Sequence, residues 1–298
     1  MITVLGSANL DLIGAVSRIP HPGETVPGTS FATAAGGKGA NQALAARRAG
    51  AAVRMFAAVG DDAFAAEATA ELVAGGVDMQ ALRRVAETKT GVAMIFVDRA
   101  GENVIAILPG ANGTMAPADA EAALSGMESG NILLLQQEIP QAATSRALEL
   151  ARQKGVTSIL NTAPFLDTTP ELAARASIVI ANETEFALLA GDTQPLQALM
   201  QDWARSRQQT IIVTLGAEGA RAATPDAWIS VPAFPVKPVD TVGAGDTFCG
   251  YLAAGLDAGL DLEAAMRRAA VAASLACLKP GAQPAIPMAE DVAAALAG

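Results

Sequence analysis

The sequence predicts an α/β fold: a largely parallel sheet between helices, with a small β-sheet lid. Beyond residue 130, short apolar runs alternate with helical ones. Strands are expected at Ile132–Leu135, Thr157–Leu160, Ile178–Ile180 and Thr210–Leu215, and helices near Gln141–Gln153, Glu171–Ala176, Glu183–Leu189 and Pro195–Arg205. Such alternation marks parallel strands joined by crossover helices. Polar residues gather where strands end, at Glu138, Asn161, Asn182, Glu185, Thr214 and Gly216. That is the edge at which open α/β sheets hold ligands. Two early stretches break the helical period and supply the lid.

The chain's 298 residues can hold one large α/β domain or two small ones, and a hydrophobic content of 51% is ample for a core. A net charge of −10 argues against a nucleic-acid or anionic-membrane surface. A polyanion could then be held only by local positive potential: backbone N–H groups, a few cations or a metal. Cys249 and Cys277 form neither a disulfide framework nor a zinc spacing. His21 stands alone in a Pro-rich turn, which speaks against a Ser-His-Asp triad. The first residues enter a strand without a basic region, and the apolar tract Ala269–Leu278 is too short to cross a bilayer. A cytoplasmic location is therefore expected.

In chain order, Ile2–Gly6 reads as a buried strand followed by Ser7-Ala8-Asn9-Leu10-Asp11, either an Asx-turn or ligand-binding side chains at a strand end. From Leu12 to Thr33, prolines and glycines space Val16, Ile19, Val26 and Phe31, so short strands fit better than helix. Gly36-Gly37-Lys38-Gly39-Ala40-Asn41 is a glycine turn running into a helix. It lacks the spacing of a Walker A loop, and it does not follow the first strand as a dinucleotide fingerprint would. Val53–Val59 is expected to be one strand and Phe64–Val73 a helix, with Asp61-Asp62 between them as a cap, a hinge or metal ligands. Val92–Val97 and Asn103–Leu108 flank a turn with Gly101 in place, a hairpin that can pair with the first excursion. The lid thus spans approximately residues 12–34 and 90–111 of a single domain, 1–298.

Asn182-Glu183-Thr184-Glu185 reads as a capping box or as polar groups near phosphate and Mg²⁺. Thr214-Leu215-Gly216-Ala217-Glu218-Gly219 is a glycine-rich turn, and Arg221–Ala223 with Trp228–Val231 suggests an antiparallel edge pair. In Asp240-Thr241-Val242-Gly243-Ala244-Gly245-Asp246, a turn delivers a carboxylate as an apolar helix begins. The bland reading is a turn with Asp246 as N-cap. The other is an anion seat of free N–H groups beside a base. Helices follow over Leu262–Leu278 and at the end of the chain.

Together the motifs resemble the ribokinase (PfkB-type) family of sugar kinases. Gly36–Asn41 matches its first signature and Asp240–Asp246 its second, with Glu138, Asn182-x-x-Glu185 and Thr214-Leu215-Gly216 between them in family order. The resemblance runs from Gly6 to about Pro287. It implies a Rossmann-like domain with a sugar-covering lid, and ATP as phosphoryl donor. Asp246 would be the base, and the N–H groups of Gly243, Ala244 and Gly245 the anion hole. Asn9, Asp11, Gly37, Lys38, Asn41 and Glu138 would hold the sugar. Asn182, Thr214, Gly216, Gly219 and Gly245 would line the ATP site, and Glu185 would position Mg²⁺ through water. A monovalent cation, usually K⁺, would sit by Asp240, Val242, Ala276, Lys279 and Gly281, although Ala285 stands where Ser is frequent.

D-ribose is the first expectation for the sugar, ahead of deoxyribose, fructose, adenosine and pseudouridine. The lid offers only Phe31 and Phe96 as aromatics, little stacking surface for a nucleobase. A nicotinamide oxidoreductase lacks its glycine fingerprint here, and a dead sugar sensor would not need Asp246, Gly243 and Gly245 intact. By the same resemblance, the partner is a small sugar and the assembly a homodimer formed through the lid.

Overall fold

A computed structural model describes residues 1–191 and 194–298. Its centre is an eight-stranded sheet. In spatial order the strands are Trp228–Val231, Ala220–Ala223, Thr210–Thr214, Ile178–Asn182, Thr157–Asn161, Ile132–Leu135, Ile2–Leu5 and Val53–Phe56. From Thr210–Thr214 to Val53–Phe56 every pairing is parallel, and the two remaining edge strands are antiparallel. The central strands are apolar at nearly every position because helices cover both faces.

Side-chain alternation divides the core in two. Val4, Leu134, Ile180 and Ile212 face helices Lys38–Arg48, Ala244–Asp257 and Leu262–Ala276. Leu133, Leu135, Val179 and Ile211 face helices Gln141–Lys154 and Leu196–Arg207. On that second face Phe186 meets Trp203 edge to face, ring centres 6.3 Å apart. Gly155, in the left-handed region at φ 66°, stops the Gln141–Lys154 helix and turns the chain towards the next strand.

Four strands form the lid in the order Gly28–Gly36, Asn9–Val16, Gly91–Val97, Asn103–Leu108. The two excursions pair with each other: Asn9–Val16 runs parallel to Gly91–Val97, from Asn9 beside Gly91 to Ala15 beside Val97. The Gly28–Gly36 strand leads, with only Gly37 between, into the Lys38–Arg48 helix.

Several expectations are corrected. Val53–Val59 is two strands: Val53–Phe56 ends the large sheet, and Ala58–Gly60 pairs with Arg83–Val85 in a separate two-stranded sheet. An apolar run records burial but not a change of partner. Asn9 and Asp11 are not in a turn; they open a lid strand and pair with Gly36 and Ala34. Asp246 is not the N-cap, because Gly243 holds that position and the helix begins at Ala244. Helix Pro117–Leu124 was not anticipated, since its alanines carry little amphipathic contrast.

Candidate active site

Where the strands end, helices Lys38–Arg48 and Ala244–Asp257 pack against each other and aim their first turns into one pocket. Asp246 lies there, 7% exposed. Asn41 donates through Nδ2 to its Oδ2, and Gln42 through Nε2 to its Oδ1, both at 2.9 Å. Two amide donors thus fix the direction in which the carboxylate points.

Glu138 joins three segments. Its Oε2 accepts from Ser7 Oγ at 2.6 Å and from the Lys38 N–H at 3.0 Å. A carboxylate thus occupies the positive end of the Lys38–Arg48 helix. Asn9 is fixed from the lid base: Asn112 Nδ2 donates to its Oδ1 at 2.7 Å, and Asn112 Oδ1 accepts from the Ala8 N–H at 3.0 Å.

Charge is unevenly matched in this pocket. Burial pushes the Asp11 carboxyl up to about 7, with the negative charges of Glu138 and Asp246 adding to the rise and Lys38 opposing it. The Lys38 ammonium is held above its ordinary range mainly by Asp246, against burial and with help from Glu138 and Glu185. Lys38 is thus a cation set among several acids.

The turn ahead of Asp246 is set by Gly243, at φ 75°. A Cβ at Gly243 would stand 2.9 Å from Ala282, so this position excludes other residues by both conformation and space. Among the described residues, the N–H groups of Gly243 and Gly245 donate to no protein acceptor, whereas that of Ala244 reaches Thr241 O at 3.3 Å. Gly245 faces open space.

Two cavities meet at Asn182, Thr214 and Gly245. The larger, about 590 Å³, runs past Gly216, Gly219 and an apolar wall that includes Phe234, Pro235 and Ala273. The smaller, about 150 Å³, holds Lys38, Glu185, Gly243 and Asp246. The larger falls within the ~300–1,000 Å³ typical of small-molecule sites, and its apolar wall suits an aromatic base.

Asn182 and Glu185 do form the capping box. Asn182 Oδ1 accepts from the Glu185 N–H at 2.8 Å, and Glu185 Oε2 accepts from the Asn182 N–H at 3.1 Å and from Thr162 Oγ1 at 2.8 Å. Glu185 also lines the smaller cavity, so the structural use leaves it beside the site. Asp62 caps its helix by accepting from the Ala65 N–H at 3.1 Å. Asp240 ties two loops together, accepting from the N–H groups of Val242 at 3.0 Å and Gly281 at 2.8 Å. The N–H groups of Val239 and Asp240 both donate to Cys277 O, which sets residues 240–242 against residues 276–281. His21 lies in an exposed turn and Cys249 is buried below Asp246.

Sequence reading missed Ser7, Gln42, Asn112 and Gln136 as supports. Of these only Gln42 adjoins a motif, following directly on the first glycine stretch. The others act across more than 90 residues of chain and carry no local signal.

The sequence model of the pfkB family carbohydrate kinases matches residues 1–289. A ribokinase of Bacillus subtilis (strain 168) is 38% identical over 291 residues, covering 98% of this chain and 97% of the relative. A deoxyribokinase of Salmonella typhi is 36% identical over 295 residues, covering 97% and 96%. Among solved structures, an Arabidopsis thaliana ribokinase complexed with ribose and ATP superposes with a TM-score of 0.89 at 32% identity, covering 99% of this chain and 98% of that one.

Proposed function

The chain belongs to the pfkB family of carbohydrate kinases, enzymes that transfer a phosphoryl group to a hydroxyl, and we propose that this member moves the γ-phosphoryl group of ATP to the primary hydroxyl of D-ribose. The observation that carries the proposal is the junction of the two cavities at Gly245, with the Asp246 carboxylate beside it. ATP occupies the larger cavity, its base along the Phe234–Pro235 wall and its phosphates towards Asn182, Thr214, Gly216 and Gly219. The sugar lies under the lid, held by Asn9, Asp11, Gly37, Lys38, Asn41 and Glu138. An Arabidopsis ribokinase of the same fold is complexed with ribose and ATP, which supports the choice of these two ligands.

Asp246 takes the proton of the attacking hydroxyl; Asn41 and Gln42 donate to its carboxylate. The oxygen attacks the γ-phosphorus as the bond to ADP breaks. Phosphoryl transfer asks mainly for positioning and charge stabilisation. The free N–H groups of Gly243 and Gly245 meet the charge on the transferring group, with Ala244 completing the turn, and Lys38 counters the charge that ATP brings.

The donor chemistry fits two ions. Glu185, a carboxylate on the cavity wall, suits a hydrated Mg²⁺, which would neutralise phosphate charge. Asp240 and the adjoining backbone at Val242, Ala276, Lys279 and Gly281 offer hard oxygen donors for K⁺, which would support the neighbouring turn.

The chain works as one ribokinase-like unit over residues 1–298, with its lid as the dimer contact. Phe31, Val104, Ile105, Ile107 and Leu108 are exposed on the lid and support that contact. Both cysteines are free, in keeping with the cytoplasm. Among the described residues no helix is long and apolar enough to cross a membrane. ADP release measured with Mg-ATP and K⁺ across ribose, deoxyribose, fructose, adenosine and pseudouridine tests the reading. Preference for ribose supports it. Preference for deoxyribose would place the enzyme with its Salmonella relative, and turnover of none would point to a sensor.

A further inference from the structure

One of the two amides that hold Asp246 is itself held. Gln42 is fully buried, and its Nε2 donates to Asp246 Oδ1 at 2.9 Å and to Asn161 Oδ1 at 3.1 Å, so both its protons are used. Its Oε1 accepts from Gln136 Nε2 at 2.7 Å. Gln136 is 1% exposed and lies on the bare Cα of Gly6, where a Cβ would stand 2.2 Å from Gln136 Oε1. Asn161 is oriented in turn by donating Nδ2 to the Ile180 carbonyl at 3.2 Å.

An amide can be turned end for end, exchanging donor for acceptor. An ionised carboxylate only accepts. Polarity therefore runs outward from Asp246: Gln42 must present its NH₂, its oxygen must face Gln136, and Gln136 must present its own NH₂. With Gln136 gone, Gln42 Oε1 loses its buried donor, so the amide can swing on its contacts to Asp246 and Asn161 and carry the carboxylate off line; a misplacement of about 1 Å can cost on the order of 100-fold in rate.

We propose that Gln42 is a positioning residue for phosphoryl transfer, aiming the Asp246 carboxylate at the sugar hydroxyl, and that Gln136 acts through it by tethering its amide oxygen. This rests on Asp246 being the base. Gln42 has no exposed surface with which to touch a sugar, so its effect falls on kcat and not on KM.

The test is a kinetic cycle on the intact enzyme with its preferred sugar and Mg-ATP, using Gln42→Met, Gln136→Met, the double variant and Asp246→Asn, with rates scaled to folded protein. Gln42→Met should lower kcat on the order of 10- to 100-fold, the worth of a hydrogen bond to a charged group, with sugar KM within about threefold. Gln136→Met should lower kcat less, and should cost nothing further in the Gln42→Met background. Wild-type kcat in folded Gln42→Met, or full additivity in the double variant, overturns the proposal. Should Gln42→Met not fold, Gln136→Met decides alone: a fall in kcat at constant KM supports the coupling, and wild-type kcat rejects it. An active Asp246→Asn removes the base reading itself, whereas an inactive Asp246→Asn beside a normal Gln42→Met defeats only this inference.

Discussion

Asn41 Nδ2 lies 2.9 Å from Oδ2 of Asp246, a contact that joins the two glycine-rich motifs across a sequence separation of 205 residues. Each motif alone is an ordinary helix start. Their meeting makes a site: one helix brings the amides, the other the acid and the free N–H groups beside it.

If Asp246 is the base, replacing it by Asn keeps the shape of the side chain and removes the proton acceptor. The expected result is a fall in kcat of roughly 10²- to 10⁴-fold, the usual worth of one acid–base group. Sugar and ATP binding, read by calorimetry, should persist. Near-normal turnover would reassign the base.

Gly243→Ala puts a Cβ at φ 75° and 2.9 Å from Ala282. A non-glycine residue in the left-handed region costs about 1–3 kcal/mol, so thermal unfolding should move down. Turnover should fall further than stability, because the turn also aims the Gly243 and Gly245 N–H groups. A variant that is less stable but fully active would separate the turn from the chemistry.

The Asp11 carboxyl, raised to about 7 from an ordinary 3.8, makes the stability of the fold sensitive to pH. Between those values the folded state holds a proton that the unfolded chain releases. Its contribution to stability is thus complete below about pH 4 and is lost as pH rises through about 7. Asp11→Asn, which cannot ionise, should gain in melting temperature relative to the wild type on going from pH 5 to pH 8. A constant gap between the two would show that the buried acid is not titrating there.

Ala273 lies on the apolar wall of the larger cavity. Ala273→Phe should raise KM for ATP by on the order of tenfold, a loss of about 1.4 kcal/mol in binding, while the KM for sugar stays near the wild-type value. Equal weakening of both substrates would mean that the wall is not specific to the nucleotide.

If the lid face is the dimer contact, Ile105→Glu should yield monomers in sedimentation equilibrium. Ile105 is 52% exposed in the single chain, so the substitution costs little within the protomer. A wild-type chain that is already monomeric would remove the lid contact from the functional account.

The sheet was legible because a buried parallel strand must be apolar at successive positions, as in Ile132–Leu135 and Ile178–Ile180. The Asn182–Glu185 capping box, the lid hairpin and both glycine motifs were legible because their chemistry is local. Partner changes were not: nothing in Val53–Val59 says that the chain leaves one sheet for another after Phe56. Of the two readings open for Asp246, the cap falls because Gly243 takes that position and leaves the acid inside the first turn of the helix. The supports Ser7, Asn112 and Gln136 were invisible because each is an ordinary polar residue until folding sets it against Glu138, Asn9 or Gln42.

Only Gly37 separates the lid strand Gly28–Gly36 from the helix that carries Asn41 and Gln42. With a single residue between them, strand and helix are one lever: a displacement of the lid strand is handed through Gly37 to the helix whose Asn41 and Gln42 hydrogen-bond the Asp246 carboxylate.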